Sequence, residues 1–235
     1  MTILVTGSSG FIGYHLIKEL LKKNKKVIGI DSHNNYYSKK IKIKRFEILR
    51  KNKNYKFIKL SVVNEKKLDK IFKVFKPKIV FHLAGQPGVL YSLKNPKTYF
   101  INNILATKSI CKISKKNNID KFIFGSSSSV YGDQIKFPIK ETNKENPKNP
   151  YAKTKLKSEK IVENSFKRTF TKFVIFRFFT VYGPFGRPDM FIHKFLNSIN
   201  KNKKISLYNN GLNFRDFTYV EDVIKILSKT LISFP

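Results

Sequence analysis

Short apolar runs and stretches of helical period alternate along this chain from its first residues. Thr2-Ile3-Leu4-Val5-Thr6 is a β-branched run that predicts a strand, and apolar residues then recur at helical spacing from Phe11 through Leu21. Lys26 to Asp31 predicts a second strand. A polar, aromatic loop, Ser32 to Ser38, leads into a Lys-rich helical pattern through Arg50. Tyr55 to Leu60 reads as strand three, Glu65 to Phe75 as a helix, and Lys78 to Leu83 as strand four. A helix over about Pro96 to Lys116 precedes strand five at Lys121 to Phe124. The Pro- and Asn-rich loop Phe137 to Pro150 is followed by a helix over about Tyr151 to Phe170 and by strand six, Lys172 to Phe178. Such alternation implies an α/β fold, a parallel sheet with helices on both faces and ligands at the carboxyl ends of its strands.

Those carboxyl ends hold the candidate chemistry. Strand one runs into Gly7-Ser8-Ser9-Gly10-Phe11-Ile12-Gly13, so the order is strand, glycine turn, helix. Gly7 permits a tight turn, Gly10 lets the backbone approach a pyrophosphate, Gly13 lets helix and strand pack closely, and phosphates would sit on the helix N-terminus. Glycines alone are a weak signal. Asp31, ending strand two about twenty residues on, adds the carboxylate expected to grip an NAD ribose. The fold class is therefore a Rossmann-type, doubly wound sheet. Strand four ends in Ala84-Gly85-Gln86-Pro87-Gly88, strand five in Gly125 and Ser126 to Ser129, strand six in Phe179-Thr180-Val181-Tyr182-Gly183. Each serine by itself reads equally as loop. Tyr151 and Lys155 stand four apart at a helix start, so both project from one face. A phenol, with an ordinary pKa of about 10, becomes a base at neutral pH only beside a cation, and Lys155 or an oxidised nicotinamide can supply one. In a Lys-rich chain that spacing also arises by chance; the glycine fingerprint and the serine-rich strand end give it weight.

Composition narrows the classes. The 235 residues suffice for a real core, and 41% hydrophobic content is that of an ordinary soluble protein. No apolar run approaches the roughly 18 residues of a membrane span, and no signal peptide opens the chain, so the expectation is a cytoplasmic protein without a membrane partner. The single Cys111, read as core, excludes a disulfide and a Cys-based zinc cluster; no metal is expected. A net charge of +33 would ordinarily suggest nucleic acid. The excess is almost all Lys, scattered among Asn and Ile, whereas Arg appears only at Arg45, Arg50, Arg168, Arg177, Arg187 and Arg215. The densest groups, Lys22 to Lys26, Lys39 to Lys53 and Lys201 to Lys204, fall where solvated helix ends and loops are expected. No specific nucleic-acid partner is expected.

Taken together, the motifs resemble the extended short-chain dehydrogenase/reductase family, in its nucleotide-sugar epimerase and dehydratase group, and most closely its UDP-glucuronate 4-epimerase branch. The resemblance spans the chain: the glycine turn, His82 to Gln86, Ser126 to Gly132, Tyr151 to Lys155, Arg177 to Met190, Asn209 to Gly211 and Arg215 to Val220. Gly186-Arg187-Pro188-Asp189-Met190 is the narrower signal for the glucuronate branch. The resemblance implies NAD as cofactor, a UDP-sugar as substrate and inversion at C4 through a transient 4-keto sugar, most closely UDP-glucuronate to UDP-galacturonate. It makes Tyr151 the base, Lys155 the cation that lowers its pKa and holds the nicotinamide ribose, and Ser127 the bridge to the 4-oxygen. Phe11, Ile12, Leu83, Ala84, Gly85 and Asn103 would lie by the cofactor with Gly7, Gly10, Gly13 and Asp31. Ser128 would lie by the sugar, Thr180 and Arg187 by its carboxylate, and Arg215 by the diphosphate.

Three positions depart from the pattern. Ser61 stands in place of an adenine-contacting Asp, Leu90 of an Arg and Phe185 of a Trp. Relatives continue for roughly another hundred residues, on the scale of part of a domain. The implied organisation is an NAD-binding domain over 1–178 and a partial substrate-binding region over 179–235 interleaved with it; a homodimer is compatible. The rival readings are an NAD-binding fragment without activity, a decarboxylase sharing the 4-keto intermediate, and a 4,6-dehydratase. The last is disfavoured because that branch carries an Asp-Glu pair where this chain has serines.

Overall fold

The computed structural model describes residues 1–205, 207–212 and 214–235; the side chains of residues 208 and 209, including Asn209 of the motif above, lie outside the described residues. Six parallel strands form the sheet: β1 (Thr2–Thr6), β2 (Lys26–Asp31), β3 (Tyr55–Lys59), β4 (Ile79–His82), β5 (Lys121–Ser127) and β6 (Lys172–Phe178). Their order is β3-β2-β1-β4-β5-β6, so the order reverses between β1 and β4 and a crevice opens above their carboxyl ends. Side chains alternate across the pleat. Ile3 and Val5 pack with α1 (Phe11–Lys22) on one face, and Leu4 with α3 (Glu65–Phe75) and α6 (Ala106–Lys116) on the other. Both faces are covered, which is why strands such as Ile79–His82 are buried throughout.

The helices depart from expectation in four places. The helix expected over 96–116 is built in three parts: α5 (Pro96–Tyr99), a π-helical segment (Phe100–Leu105) and α6. The helix expected to reach Phe170, α7 (Pro150–Phe166), stops earlier, because the amide and the hydroxyl of Thr169 both donate to the Phe166 carbonyl and turn the chain. Three helices were not anticipated: α4 (Val89–Lys94), which is only six residues long, α8 (Phe191–Asn200) and α9 (Val220–Lys229). Finally, the Lys39 to Lys53 region is not wholly solvated: α2 (Lys39–Leu49) turns Lys42 and Arg45 inward, where loop carbonyls accept from them.

Beyond β6 the chain forms a separate parallel pair, β7 (Thr180–Tyr182) with β8 (Phe217–Tyr219). It then returns to the first face of the main sheet. Val220, Val223, Ile224 and Leu227 of α9 (Val220–Lys229) join Leu16 and Leu20 of α1 in one buried cluster. Among the described residues no helix is long and apolar enough to cross a membrane.

Candidate active site

The turn after β1 depends on its glycines. Gly7 has φ +71°, and a Cβ there would stand 2.8 Å from the Ala84 amide, so only glycine lets the turn lie against the end of β4. A Cβ on Gly13 would run into the Gly7 carbonyl. Helix α1 then begins with Gly10 as a cap that offers no side-chain acceptor and with no acid in its first turn. Its first N–H groups are left for an anion. Asp31 accepts from the Ser9 amide at 3.1 Å and from the His33 amide at 2.8 Å, which orients its carboxylate beside the turn. A helix N-terminus for phosphates beside a fixed carboxylate for a ribose diol suits a dinucleotide, in a cleft of about 260 Å³.

Every residue expected to contact the cofactor lines that cleft except Asn103. Asn103 is buried in the π-helical segment, where its Oδ1 accepts from the Gln86 amide at 2.6 Å and its Nδ2 donates to the Gln86 carbonyl and to Thr154. It ties the strand-four loop to α7 rather than facing the opening. Beneath that loop, His82 is buried between the hydroxyls of Thr6 (2.7 Å) and Thr107 (3.1 Å), and Thr6 in turn accepts from the Ala84 amide.

Asn149 caps α7 by accepting from the Ala152 amide at 2.9 Å, with Pro150 in the first turn, so Tyr151 and Lys155 both reach the cleft. Lys155 Nζ donates to the Gly125 carbonyl at 2.5 Å and lies 4.4 Å from the centre of the Phe124 ring. Burial pushes its ammonium down to about 8, and the charge of Glu159 one turn further on opposes that. Burial raises the Tyr151 phenol, while the Ser127 hydroxyl and the charge of Arg187 pull it back. Of the two cations it is thus the charge of Arg187 that acts on Tyr151 in this structure, while Lys155 is engaged by a carbonyl. Glu159 is itself buried, accepting from Ser126 Oγ and from the fork of Arg177 (2.8 Å at Nη2), which also donates to Glu145.

The expected substrate residues divide. Arg187 lines the cleft. Its guanidinium is paired bidentately with Asp189 at 3.0 and 2.5 Å, and Asp189 also accepts from the Tyr36 hydroxyl at 3.0 Å. Burial alone would raise the Asp189 pKa, but the Arg187 fork outweighs it and holds the carboxyl below its ordinary value. Ser128, Thr180 and Arg215 are not brought to the cleft. Ser128 begins a 3-10 turn, the Thr180 amide donates to Asp216 in the β7–β8 pair, and the exposed Arg215 donates to the Phe214 carbonyl. Sequence reasoning missed Tyr36, Arg45, Gln86 and Glu159. Glu159 had an available signal, since 151, 155 and 159 share one helix face, and Gln86 closes the His82 to Gln86 motif.

The chain is similar to known proteins. Residues 3–233 match the family described as the NAD dependent epimerase/dehydratase family. The protein CapI of Staphylococcus aureus is 42% identical over 97% of this chain and 69% of its own length. A UDP-glucuronate 4-epimerase of Thermodesulfobacterium geofontis is 36% identical over 94% of this chain and 69% of its own. The crystal structure of a UDP-glucuronic acid 4-epimerase from Bacillus cereus, in complex with UDP-glucuronic acid and NAD, superposes with a TM-score of 0.94 at 36% identity, covering all of this chain and 74% of that one.

Proposed function

Because the chain belongs to the NAD dependent epimerase/dehydratase family, and is thereby an NAD-dependent enzyme, we propose that it inverts C4 of a UDP-sugar, with UDP-glucuronate to UDP-galacturonate as the reaction. NAD, when bound, supplies an acceptor and later a donor of hydride at that carbon. The chain's own residues do the rest. Tyr151 takes the proton of the 4-hydroxyl and returns it after the keto sugar has turned over, assisted by the positive charge of Arg187 and the hydroxyl of Ser127. Lys155, fixed by the Gly125 carbonyl, keeps its charge at neutral pH and favours the phenolate once the pair closes on substrate. The observation that carries this reading is that Tyr151 and Lys155 open into the same cleft as the glycine cradle and Arg187.

Glucuronate is favoured over glucose by Arg187, a guanidinium suited to a carboxylate at C6. Asp189 already occupies that fork, so the sugar's carboxylate has to share or displace it. The test is incubation of the purified protein with UDP-glucuronate and NAD, with products identified by NMR. UDP-galacturonate is the expected product. A UDP-pentose would assign decarboxylation instead. A second reading, an NAD-binding chain without turnover, is favoured by two observations: Arg215 stands outside the cleft and none of the residues of α8 is buried. Retained NAD with no product would establish it.

A further inference from the structure

Arg45 has the largest fully buried side chain in the described residues, and it lies in a helix otherwise rich in exposed lysines. The arginines with carboxylate partners are Arg50, Arg177 and Arg187; Arg45 pairs with none among the described residues. It is held by oxygens that carry no charge. Nη1 donates to the Ser9 carbonyl at 2.8 Å and to the Tyr37 hydroxyl at 2.9 Å. Nη2 donates to the Phe185 carbonyl at 2.5 Å and more weakly to Gly186 at 3.4 Å, while Nε is buried without a partner. A desolvated cation without a paired carboxylate is unfavourable; the carboxylate nearest along these contacts is that of Asp31, on the amide of the same Ser9, and Arg45 is kept in place by the neutral oxygens it ties together.

The two segments it joins are the two walls of the cleft. Ser9 belongs to the glycine turn, and its amide holds Asp31 while its carbonyl is held by Arg45. Phe185 and Gly186 belong to the loop that also carries Arg187 and Met190 to the cleft. The same loop is anchored a second time, where His15 of α1 donates to the Pro184 carbonyl at 2.8 Å. Phe185 has φ +55°, a conformation that a bulky residue keeps only when its surroundings hold it.

We propose that Arg45 is a positioning residue for cofactor retention: its planar fork fastens the Pro184–Gly186 loop to the glycine turn, and so holds the two walls together around a bound dinucleotide. Release of the dinucleotide then requires the loop to leave the turn, breaking the bonds at both Nη atoms. A lysine in this position keeps the charge but reaches only one of the two walls.

The test is stopped-flow release. The full chain is loaded with NADH, whose fluorescence reports occupancy, and chased with excess NAD; thermal melts with and without NAD accompany it. Arg45→Met should release NADH at least tenfold faster than the parent, with Arg45→Lys between the two, and the NAD-dependent rise in Tm should shrink in the same order. Release within twofold of the parent in variants that melt cooperatively would overturn the proposal, as would an unchanged release with slower binding, which assigns Arg45 to opening the cleft. If Arg45→Met does not fold, Arg45→Lys decides; if neither melts cooperatively, Arg45 is a brace of the fold and the proposal is lost. Release of NADH is measured without sugar, so a failure to turn over UDP-glucuronate and a failure of the clamp are separate results. A parent chain that binds no NADH would overturn the clamp and the cofactor reading together.

Discussion

Helix α1, which starts on the glycine turn, buries seven of its twelve residues, whereas α8, which follows the loop that carries Arg187, buries none of its ten. The first is clamped between the sheet and α9. The second carries Phe191, Phe195, Leu196 and Ile199 on exposed positions. The cofactor side is made mainly of backbone: N–H groups of a helix start, close approaches that only glycine allows, and a carboxylate fixed by two amides. Backbone placed by a packed sheet is preorganised before any ligand arrives. The Arg187 side depends on side chains held by other side chains, Arg187 by Asp189 and Asp189 by Tyr36.

The contrast is broken most severely at the chemistry itself. Tyr151→Phe should lower turnover by about 100-fold or more, the lower end of what positioned acid–base catalysis supplies, with NAD affinity nearly intact because the cradle is untouched. A variant retaining more than about a hundredth of the parental rate rules Tyr151 out as the base. Next comes packing. Leu16→Ala should cost about 2–5 kcal/mol of folding stability, while Phe195→Ser on the exposed face of α8 should stay within about 0.5 kcal/mol. Urea midpoints for the two variants test this directly, and comparable losses would mean that α8 is covered in solution.

The Arg187 side is sharpened by Arg187→Ala, expected to cost UDP-glucuronate about 1.5–3 kcal/mol in kcat/KM while leaving UDP-glucose nearly unchanged. Leu90, exposed at 64%, offers no second cation to compensate. Equal losses for both sugars would make Arg187 a brace for its loop, a role its bidentate bond to Asp189 already fills. The smallest effect is expected at the ribose. NADP should bind roughly tenfold more weakly than NAD, or about 1.4 kcal/mol, if Asp31 is the acceptor for the ribose 2′-hydroxyl, where its carboxylate would repel a 2′-phosphate. Asp31→Asn should narrow that gap, and a titration in which the parent prefers NADP overturns the assignment.

Much of this was legible in the sequence because it is local. Six strands, the glycine turn and the spacing of Tyr151 and Lys155 depend on residues within one or two turns of each other, and the structure places all of them at one crevice. Arg45 was not legible: its partners lie 36 and 140 residues away, and from the sequence it is one more cation in a basic helix. Asn103 was read as a cofactor neighbour, but its partners, Gln86 and Thr154, are supplied by a loop and a helix that meet only in the folded chain. In α8 the apolar residues 191, 195 and 199 do recur at helical spacing, so that signal was present, whereas α4 is too short to leave a periodicity.

The histidine beneath the strand-four loop gives the fold a proton ledger. His82 is fully buried, and burial, reinforced by the charge of Lys155, holds its pKa at about 3. In the unfolded chain the same ring titrates near its ordinary value of about 6.5. Between those two values the unfolded chain binds a proton that the folded chain refuses, so stability rises with pH across the interval, is fully present above about 6.5, and drains away as the solution is acidified toward about 3. The ring is tied through Thr6 to the Ala84 amide, which packs against Gly7, so the group that refuses the proton stands at the wall of the cofactor cradle. His82→Asn, which cannot take up that proton, should flatten the acid side of a urea-midpoint profile relative to the parent; parallel profiles would show that the proton uptake lies elsewhere.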